Sequence, residues 1–315
     1  MEADGALLAE LTAALAAQPR FGADVEVVAE ASVRGYDTDL THVRARGAEG
    51  EMRLWVKRYR RQRPHARKEW LYLQERAPHG GWDLVEGIAF LDGADAVVTR
   101  HVDGEMLARR FGGPFAAEAV ERDCAAAGAW LAVFHRPQPG GAPHPREALL
   151  GDIAARARAV TGGRGDVAAA IEALAARLLA GASDADLVRV RTHGDFAPFN
   201  IVVGERESAV LDPSFEASVD QLGSHCARYE DVARFLVSLQ REDALQRAGA
   251  TRAAMDAFIG GYRSVAGAPL NTGALAAFLV KYVLQALLDV WWAPGPGGVP
   301  ERVREAVALA EALAG

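Results

Sequence analysis

A change in the hydrophobic pattern near Gly104 divides this sequence into two parts. Before this glycine, short segments are β-branched or alternate between apolar and polar residues, and glycine-containing turns separate them, which is typical of antiparallel strands. Strands are predicted at residues 25–33, 41–46, 51–59, 82–93 and 94–104. Helical spacing of apolar residues predicts an opening helix at 5–18 and a second helix at 63–79. We therefore expect an N-terminal lobe, residues 1–103, built on a five-stranded antiparallel sheet with one inserted helix.

After Gly104, helical patterns replace almost all strand patterns. Helices are predicted at residues 115–135, 147–160, 166–181, 228–248, 252–263, 273–291 and 301–314. The segment 274–292 is the most apolar window, but it contains Lys281 and Asp289, and a charge at the centre of a bilayer costs about 2.5–3.5 kcal/mol. We therefore expect a buried core helix there, not a membrane span. The pattern as a whole predicts an α+β fold whose larger, mainly helical C-terminal lobe comprises residues 104–315.

Composition narrows the class of protein. With 315 residues, 50% of them hydrophobic and 24% charged, the chain has an ordinary globular composition. A formal net charge of −7 argues against a nucleic-acid partner. Cys124 and Cys226 cannot build a disulfide framework and lack the spacing of a zinc site, and the acidic start MEADGALLAE differs from a signal peptide. We expect a cytoplasmic protein with no membrane partner, while the oligomeric state stays open.

Candidate catalytic residues are concentrated in THGDFAPFNIVV (192–203) and SAVLDPSFE (208–216). Asn200 follows the aspartate of the HGD triplet by five residues, and Asp212 ends the second of two short strands. A carboxylate can accept the proton of an attacking hydroxyl, and carboxylate and amide oxygens are the ligands that Mg²⁺ prefers. HGD alone is a weak signal, because aspartate is common in turns before strands. The full spacing, with VLD following, is much more specific.

This spacing resembles the catalytic loop and metal-binding strand end of the aminoglycoside phosphotransferase and choline kinase superfamily, a branch of the protein-kinase-like fold. The resemblance covers nearly the whole chain and implies a two-lobed kinase that uses ATP and Mg²⁺ to phosphorylate a hydroxyl of a small molecule. It implies that Asp195 accepts or orients the hydroxyl proton and that Asn200 and Asp212 hold Mg²⁺. His193 is expected to hold the loop by hydrogen bonds and to take no part in the chemistry.

The first lobe contains candidates for binding the ATP phosphates. Lys57 is one of only three lysines in the chain, and it lies on the third predicted strand. A kinase-like fold needs a strand lysine over the α and β phosphates and a helix glutamate that orients it. Glu69, in KEWLYL on the next predicted helix, fits this role. Glu75 is a less favoured alternative near the end of the same helix.

Three further segments follow the order of the same superfamily. VVTRHVDGEML (97–107) resembles the hinge that reads adenine through main-chain groups, which here implies the Arg100 carbonyl and the Val102 N–H. AGAWLAVFHRP resembles a long helix that ends in a structural histidine, here His135. YEDVARFLVSL resembles the segment whose aspartate, here Asp231, holds the catalytic loop from behind.

The sequence also departs from protein kinases. The loop 30–43 has one glycine, Gly35, where eukaryotic protein kinases have three, and the residues after Asp212 lack both the glycine of DFG and an APE-like segment. These departures favour a small-molecule kinase without a regulated activation loop. Acidic residues after Asp212 suit an amine-bearing acceptor. The alternatives are that these acids lie scattered on a helix surface and that the two tryptophans belong to the core. The candidate acceptor residues are Glu216, Asp220, Glu230, Trp291 and Trp292.

Two other functional classes compete with this interpretation. A nucleotide-binding pseudokinase or regulatory module would share the fold, but all five expected catalytic residues are present. A metal-dependent phosphohydrolase could use His193 and Asp195 as ligands, but it lacks a second cluster of histidine and aspartate at ligand spacing. The hydroxylated acceptor could be an antibiotic such as an aminoglycoside, an amino alcohol or a sugar, and the sequence leaves this choice open.

Overall fold

A computed structural model describes residues 5–35, 37–61, 64–113, 117–135, 142–214, 225–267, 269–289 and 298–314. Within them the chain forms two compact units. The first unit contains the described residues up to Gly104 together with residues 202–214, and the second contains Glu105–Ile201 and the described residues from 225 onward. Residues 202–214 therefore belong to the first unit, although they follow the loop with Asp195 and Asn200 in sequence.

The elements of the first unit begin with helix α1 and three long strands. They are α1 (Gly5–Ala16), β1 (Glu26–Arg34), β2 (Thr38–Gly47), β3 (Gly50–Tyr59), α2 (Pro64–Leu73), β4 (Trp82–Leu84), β5 (Gly87–Leu91) and β6 (Ala96–Arg100). Five strands form one antiparallel sheet in the order β1-β2-β3-β6-β5. This confirms the predicted five-stranded sheet with an inserted helix.

The two faces of this sheet are covered by different helices. Successive side chains of a strand point to opposite faces. Leu54 and Val56 of β3 therefore lie in a buried core with Leu7, Leu11 and Leu15 of α1. The residues between and beyond them on β3 lie on the other face, where α2 packs. The strand period thus places one residue set in the core and the alternate set on the α2 face.

Two predictions of element length in this unit were wrong. The helix predicted at 63–79 ends at Leu73, so Glu75 lies beyond its end. The strand predicted at 82–93 is split into β4 and β5, because the Val85 N–H donates to the Val210 carbonyl and the Glu86 carbonyl accepts from Arg100 N–H. The strand β4 instead pairs in parallel with β10 (Ser208–Val210).

The second unit is mainly helical, as predicted. Its elements in chain order, with the β9–β10 hairpin included, are β7 (Glu105–Met106), α3 (Leu107–Gly112), α4 (Ala117–Phe134), α5 (Arg146–Val160), α6 (Gly165–Ala180), β8 (Arg189–Arg191), β9 (Ile201–Val203), β10 (Ser208–Val210), β11 (His225–Ala227), α7 (Tyr229–Arg241), α8 (Asp243–Ala248), α9 (Thr251–Ala266), α10 (Thr272–Leu288) and α11 (Gly298–Ala314). The helix predicted at 228–248 is broken, because Glu242 adopts an extended ψ of 100°.

Close helix packing organises this unit. Helices α4 and α9 contact each other along their length, and a Cβ atom on Gly261 would lie 1.9 Å from the Ala125 carbonyl oxygen. Only glycine fits at this crossing. Helix α10 is buried on nearly every side and packs against α5, α6, α7 and α11. This burial confirms the expected core helix. Among the described residues, no helix has both the length and the apolar character to cross a membrane.

Candidate active site

The β3 strand carries Lys57 on the face that α2 covers. The Lys57 Nζ lies 3.2 Å from Glu69 Oε2 and donates a hydrogen bond of 2.7 Å to Asp212 Oδ1. The lysine side chain is 16% exposed and that of Glu69 is 3% exposed, whereas that of Asp212 is 52% exposed. The structure therefore brings together the three candidates that the sequence places on β3, on α2 and after β10.

Burial and charge act in opposite directions on this group. Burial alone would lower the pKa of Lys57, but the carboxylates of Glu69 and Asp212 outweigh it and raise that pKa well above its usual range. Burial raises the pKa of Glu69, and the nearby Lys57 opposes this change. The lysine is therefore a fixed positive charge at physiological pH, held on one side by a buried glutamate.

A tyrosine that sequence analysis missed completes this pair. Tyr59 lies two residues after Lys57 and therefore on the same face of β3. Its hydroxyl donates a hydrogen bond to Glu69 Oε2, and its ring centroid lies 5.1 Å from Lys57 Nζ. The strand period was the available signal, since residues i and i+2 share a face.

Asp212 has an unusual backbone. Its φ is 54°, in the left-handed region, which aspartate tolerates better than most residues. Asp212 follows strand β10 by two residues. The tight conformation at the strand end turns the carboxylate toward Lys57, where the 2.7 Å hydrogen bond forms.

The two predicted adenine contacts lie at the end of β6. Arg100 is the last residue of that strand, and its N–H donates to the Glu86 carbonyl. Its guanidinium pairs with Glu86 and Glu207, which fixes the side chain in this unit. Val102 is buried two residues further on. Between them, His101 Nδ1 accepts a hydrogen bond of 2.9 Å from Trp55 Nε1.

The loop of the second unit that follows β8 carries Asp195 and Asn200. Gly194 has a φ of 77°, a conformation that favours glycine. Residues Pro198–Asn200 form a short 3₁₀ helix that begins with proline. The buried Asn200 donates from Nδ2 to the Asp195 carbonyl over 2.9 Å. This hydrogen bond closes the loop and fixes the orientation of the amide.

Asp231, in the first turn of α7, holds this loop from the interior, as the resemblance implied. Its carboxylate accepts hydrogen bonds from the backbone N–H of His193 at 2.6 Å and of Gly194 at 2.8 Å. His135 Nε2 lies 2.9 Å from the same carboxylate, and its Nδ1 lies 3.0 Å from the Tyr262 hydroxyl. Burial alone would raise the pKa of Asp231, but the hydrogen bonds from His135 and the loop N–H outweigh it and lower that pKa.

An aromatic cluster supports the same loop. Phe196, the residue after Asp195, is fully buried. Its ring stacks at 5.8 Å on Trp130 and lies 5.2 Å from Phe235. Phe235 in turn stacks on Phe258 at 4.2 Å. The loop is thus anchored by apolar packing on one side of Asp195 and by Asp231 on the other.

The ion pair between Asp195 and Arg234 was not predicted from the sequence. Arg234 Nη2 forms an ion pair with Asp195 Oδ1. Arg234 follows Asp231 by three residues on α7, and residues at this spacing share a helix face. The segment YEDVAR contains this spacing. It indicates a contact with Asp195 only when α7 is known to lie behind the loop.

The predicted acceptor residue Glu230 has a different role. It is fully buried, and Glu230 Oε1 accepts hydrogen bonds of 2.7 Å from both Lys281 Nζ and the Tyr282 hydroxyl. Its carboxylate serves the interior of the second unit, so its assignment to an acceptor pocket was wrong. The other four acceptor candidates lie outside the described residues, namely Glu216, Asp220, Trp291 and Trp292.

A family comparison decides the class of this protein. The model of the phosphotransferase enzyme family matches residues 32–267. The chain belongs to this phosphotransferase enzyme family. Membership makes it a small-molecule kinase of the aminoglycoside phosphotransferase and choline kinase type. A comparison with curated protein sequences gives no match.

Solved structures show the same fold. A glucosamine kinase aligns with a TM-score of 0.56 at 17% identity over 97% of this chain and 84% of its own. A spectinomycin phosphotransferase in complex with ADP and spectinomycin aligns with a TM-score of 0.53 at 11% identity over 99% of both chains. Choline kinase from Cryptosporidium parvum aligns with a TM-score of 0.52 at 12% identity over 92% of this chain and 89% of its own. The phosphotransferase therefore has the protein-kinase-like fold.

Proposed function

We propose that this phosphotransferase transfers the γ-phosphoryl group of ATP, in the presence of Mg²⁺, to a hydroxyl of a small molecule. We assign roles in this reaction to five residues, which are Lys57, Glu69, Asp195, Asn200 and Asp212. Because both cysteines are free and buried, a reducing cytoplasm suits the protein, and we place the reaction there.

The observation that carries this proposal is the position of Lys57 between two carboxylates. An ordinary exposed lysine gains little from a single ion pair. Lys57 instead contacts the buried Glu69 at 3.2 Å and the half-exposed Asp212 at 2.7 Å. A lysine that pairs with a buried acid can present its charge to the ATP phosphates. An exposed acid beside it can bind the Mg²⁺ ion that accompanies those phosphates. Asp195 then accepts or orients the acceptor's hydroxyl proton.

The side-chain oxygens of Asn200 and Asp212 suit Mg²⁺. Since Asn200 Nδ2 is committed to the Asp195 carbonyl, the amide offers its oxygen as the ligand atom. Asp212 offers a carboxylate, and both are the hard oxygen donors that Mg²⁺ prefers. Among the described residues, no group of three or more histidine, cysteine, aspartate or glutamate side chains could hold a metal ion. When bound with ATP, Mg²⁺ would neutralise charge on the phosphates.

The nucleotide base and the acceptor are assigned more coarsely. We propose that adenine is bound by the Arg100 carbonyl and the Val102 N–H, since β6 ends at Arg100 and residues 101–103 have no regular secondary structure that would occupy all of their main-chain groups. The names of structural neighbours specify glucosamine, spectinomycin and choline as acceptors. These three compounds, with sugars and other amino alcohols, define the acceptor class to be tested.

The direct test is an acceptor screen that follows ADP formation from ATP. The purified protein is incubated with glucosamine, spectinomycin, choline and an aminoglycoside, with Mg²⁺ and with the metal removed by EDTA. We expect ADP formation that depends on one acceptor class and on Mg²⁺, that is restored when Mg²⁺ is added back, and that falls by about 10²- to 10⁴-fold in Asp195→Ala. The exposed variant Arg252→Gln, in an ion pair with Asp256 on α9, is the matched control and should retain activity. Binding of ATP without transfer to any acceptor would contradict the proposal and favour a pseudokinase.

A further inference from the structure

An ion pair between Arg234 and Asp195 connects helix α7 to the loop that follows β8. Both side chains are largely buried, with 27% and 23% exposure. Arg234 also lies one helical turn after Asp231, which binds the backbone of the same loop. Helix α7 therefore contacts the loop twice. Asp231 accepts hydrogen bonds from the loop backbone, and Arg234 pairs with the side chain of Asp195.

Arg234 is itself held by a series of buried polar contacts. Its guanidinium carbon lies 5.5 Å from the ring centroid of Tyr282, and the Tyr282 hydroxyl donates to Glu230 over 2.7 Å. Lys281 donates to the same Glu230 oxygen and lies 3.2 Å from Asp152 of α5. The series joins α5, α7 and α10. The contact with the Tyr282 ring limits the positions that the arginine side chain can adopt.

We propose that Arg234 is a positioning residue that holds Asp195 Oδ1 so that Oδ2 receives the proton of the acceptor hydroxyl. This inference rests on the proposed function, because it assumes that Asp195 acts as the base. A carboxylate that rotates freely presents either oxygen in many directions. An ion pair to one oxygen fixes the rotamer, and misplacing a reacting group by 1 Å costs on the order of 10²-fold in rate.

Arginine is suited to this role because of its shape. Its planar guanidinium makes directional hydrogen bonds to a carboxylate, whereas lysine is a compact point charge on a flexible stem. Lysine at this position would keep the charge but lose part of the orientation. The two substitutions therefore separate the contribution of charge from that of geometry.

The first arm of the test measures steady-state kinetics of Arg234→Gln and Arg234→Lys with the acceptor found by the screen. We expect Arg234→Gln to lower kcat by about 10²-fold, with little change in the KM for ATP, and Arg234→Lys to recover part of this loss. Arg241→Gln, two turns further along α7, controls for removal of a cation from the helix and should keep wild-type kcat. Thermal unfolding of each variant reports whether it folds.

The second arm is a double-mutant cycle with Asp195→Ala. If Arg234 acts through Asp195, the double variant should be no slower than Asp195→Ala alone, because residues that act as a unit are not additive. Additive losses would overturn the inference, since they indicate a general structural role. A wild-type kcat in Arg234→Gln, with the kcat of Asp195→Ala strongly reduced, would overturn it as well. Should Arg234→Gln fail to fold, the cycle with Arg234→Lys decides between the same outcomes. Full activity in Asp195→Ala would instead reject the proposed function.

Discussion

The buried carboxylate of Asp231 gives the sharpest prediction for the candidate catalytic loop. It accepts two backbone N–H groups, at 2.6 and 2.8 Å, and contacts His135 at 2.9 Å, with no exposure to solvent. Asp231→Asn keeps the shape but replaces one accepting oxygen with an NH₂ group that faces a donor. At least one hydrogen bond to a charged acceptor is lost and a buried donor is left unpaired, and each of these changes costs about 1–3 kcal/mol.

We therefore expect Asp231→Asn to lower the free energy of unfolding by about 2–5 kcal/mol and kcat by about 10²-fold. Urea unfolding and steady-state kinetics measure the two effects. Asp256→Asn, in an exposed pair with Arg252, is the matched control and should change stability by less than about 1 kcal/mol. Unchanged stability and kcat in Asp231→Asn would refute the assignment of Asp231 as the support of the loop.

The same substitution has a defined pH dependence. The pKa of Asp231 is lowered in the folded protein, so its contribution to stability is present above the unfolded value of about 3.9 and is lost as pH falls through the folded pKa. The stability difference between the wild type and Asp231→Asn should therefore be constant near neutral pH and shrink below about pH 4. A difference that grows on acidification would contradict the sign of this pKa shift.

Three further substitutions test other charged side chains. Lys57→Met should abolish most phosphotransfer. Lys57→Arg should not restore it fully, because the planar guanidinium of arginine replaces the compact charge of lysine beside Glu69. Full activity of Lys57→Arg would indicate that Lys57 has only a structural role. Asp212→Asn should fold normally and lose Mg²⁺-dependent ATP binding, and unchanged affinity by calorimetry would reject it as a metal ligand. Lys281→Met should lower the free energy of unfolding by about 3–5 kcal/mol, since it leaves Glu230 buried without its cation; a urea midpoint equal to that of the wild type would contradict this.

Much of the fold could be predicted because its signals are local. The alternation in β3 and the helical spacing of α2 place Lys57 and Glu69 correctly along the chain, and the structure then brings them within 3.2 Å. The three residues of β11 escaped prediction, since so short a segment has no measurable period and forms by pairing with β8. The split between β4 and β5 likewise depends on β10, which lies far away in sequence.

The residues of the candidate site also divide into those with a local sequence signal and those that depend on long-range packing. The spacing from Asp195 to Asn200 and Asp212 is a property of the sequence, so these residues could be proposed directly. The ion pair between Asp195 and Arg234 could not, because it requires α7 to lie behind the loop. The sequence does not show whether an acidic residue is buried or exposed. Glu230 was therefore assigned to an acceptor pocket, although it lies in the interior of the second unit.

The most direct test of the account is a ³¹P NMR measurement of the products formed from ATP, Mg²⁺ and the acceptor identified in the screen. We expect one new phosphomonoester for each ADP formed by the wild type. Asp195→Ala should form about 10²- to 10⁴-fold less product in the same time and should still bind ATP. Formation of inorganic phosphate and ADP without a phosphomonoester, or equal product formation by Asp195→Ala, would contradict it.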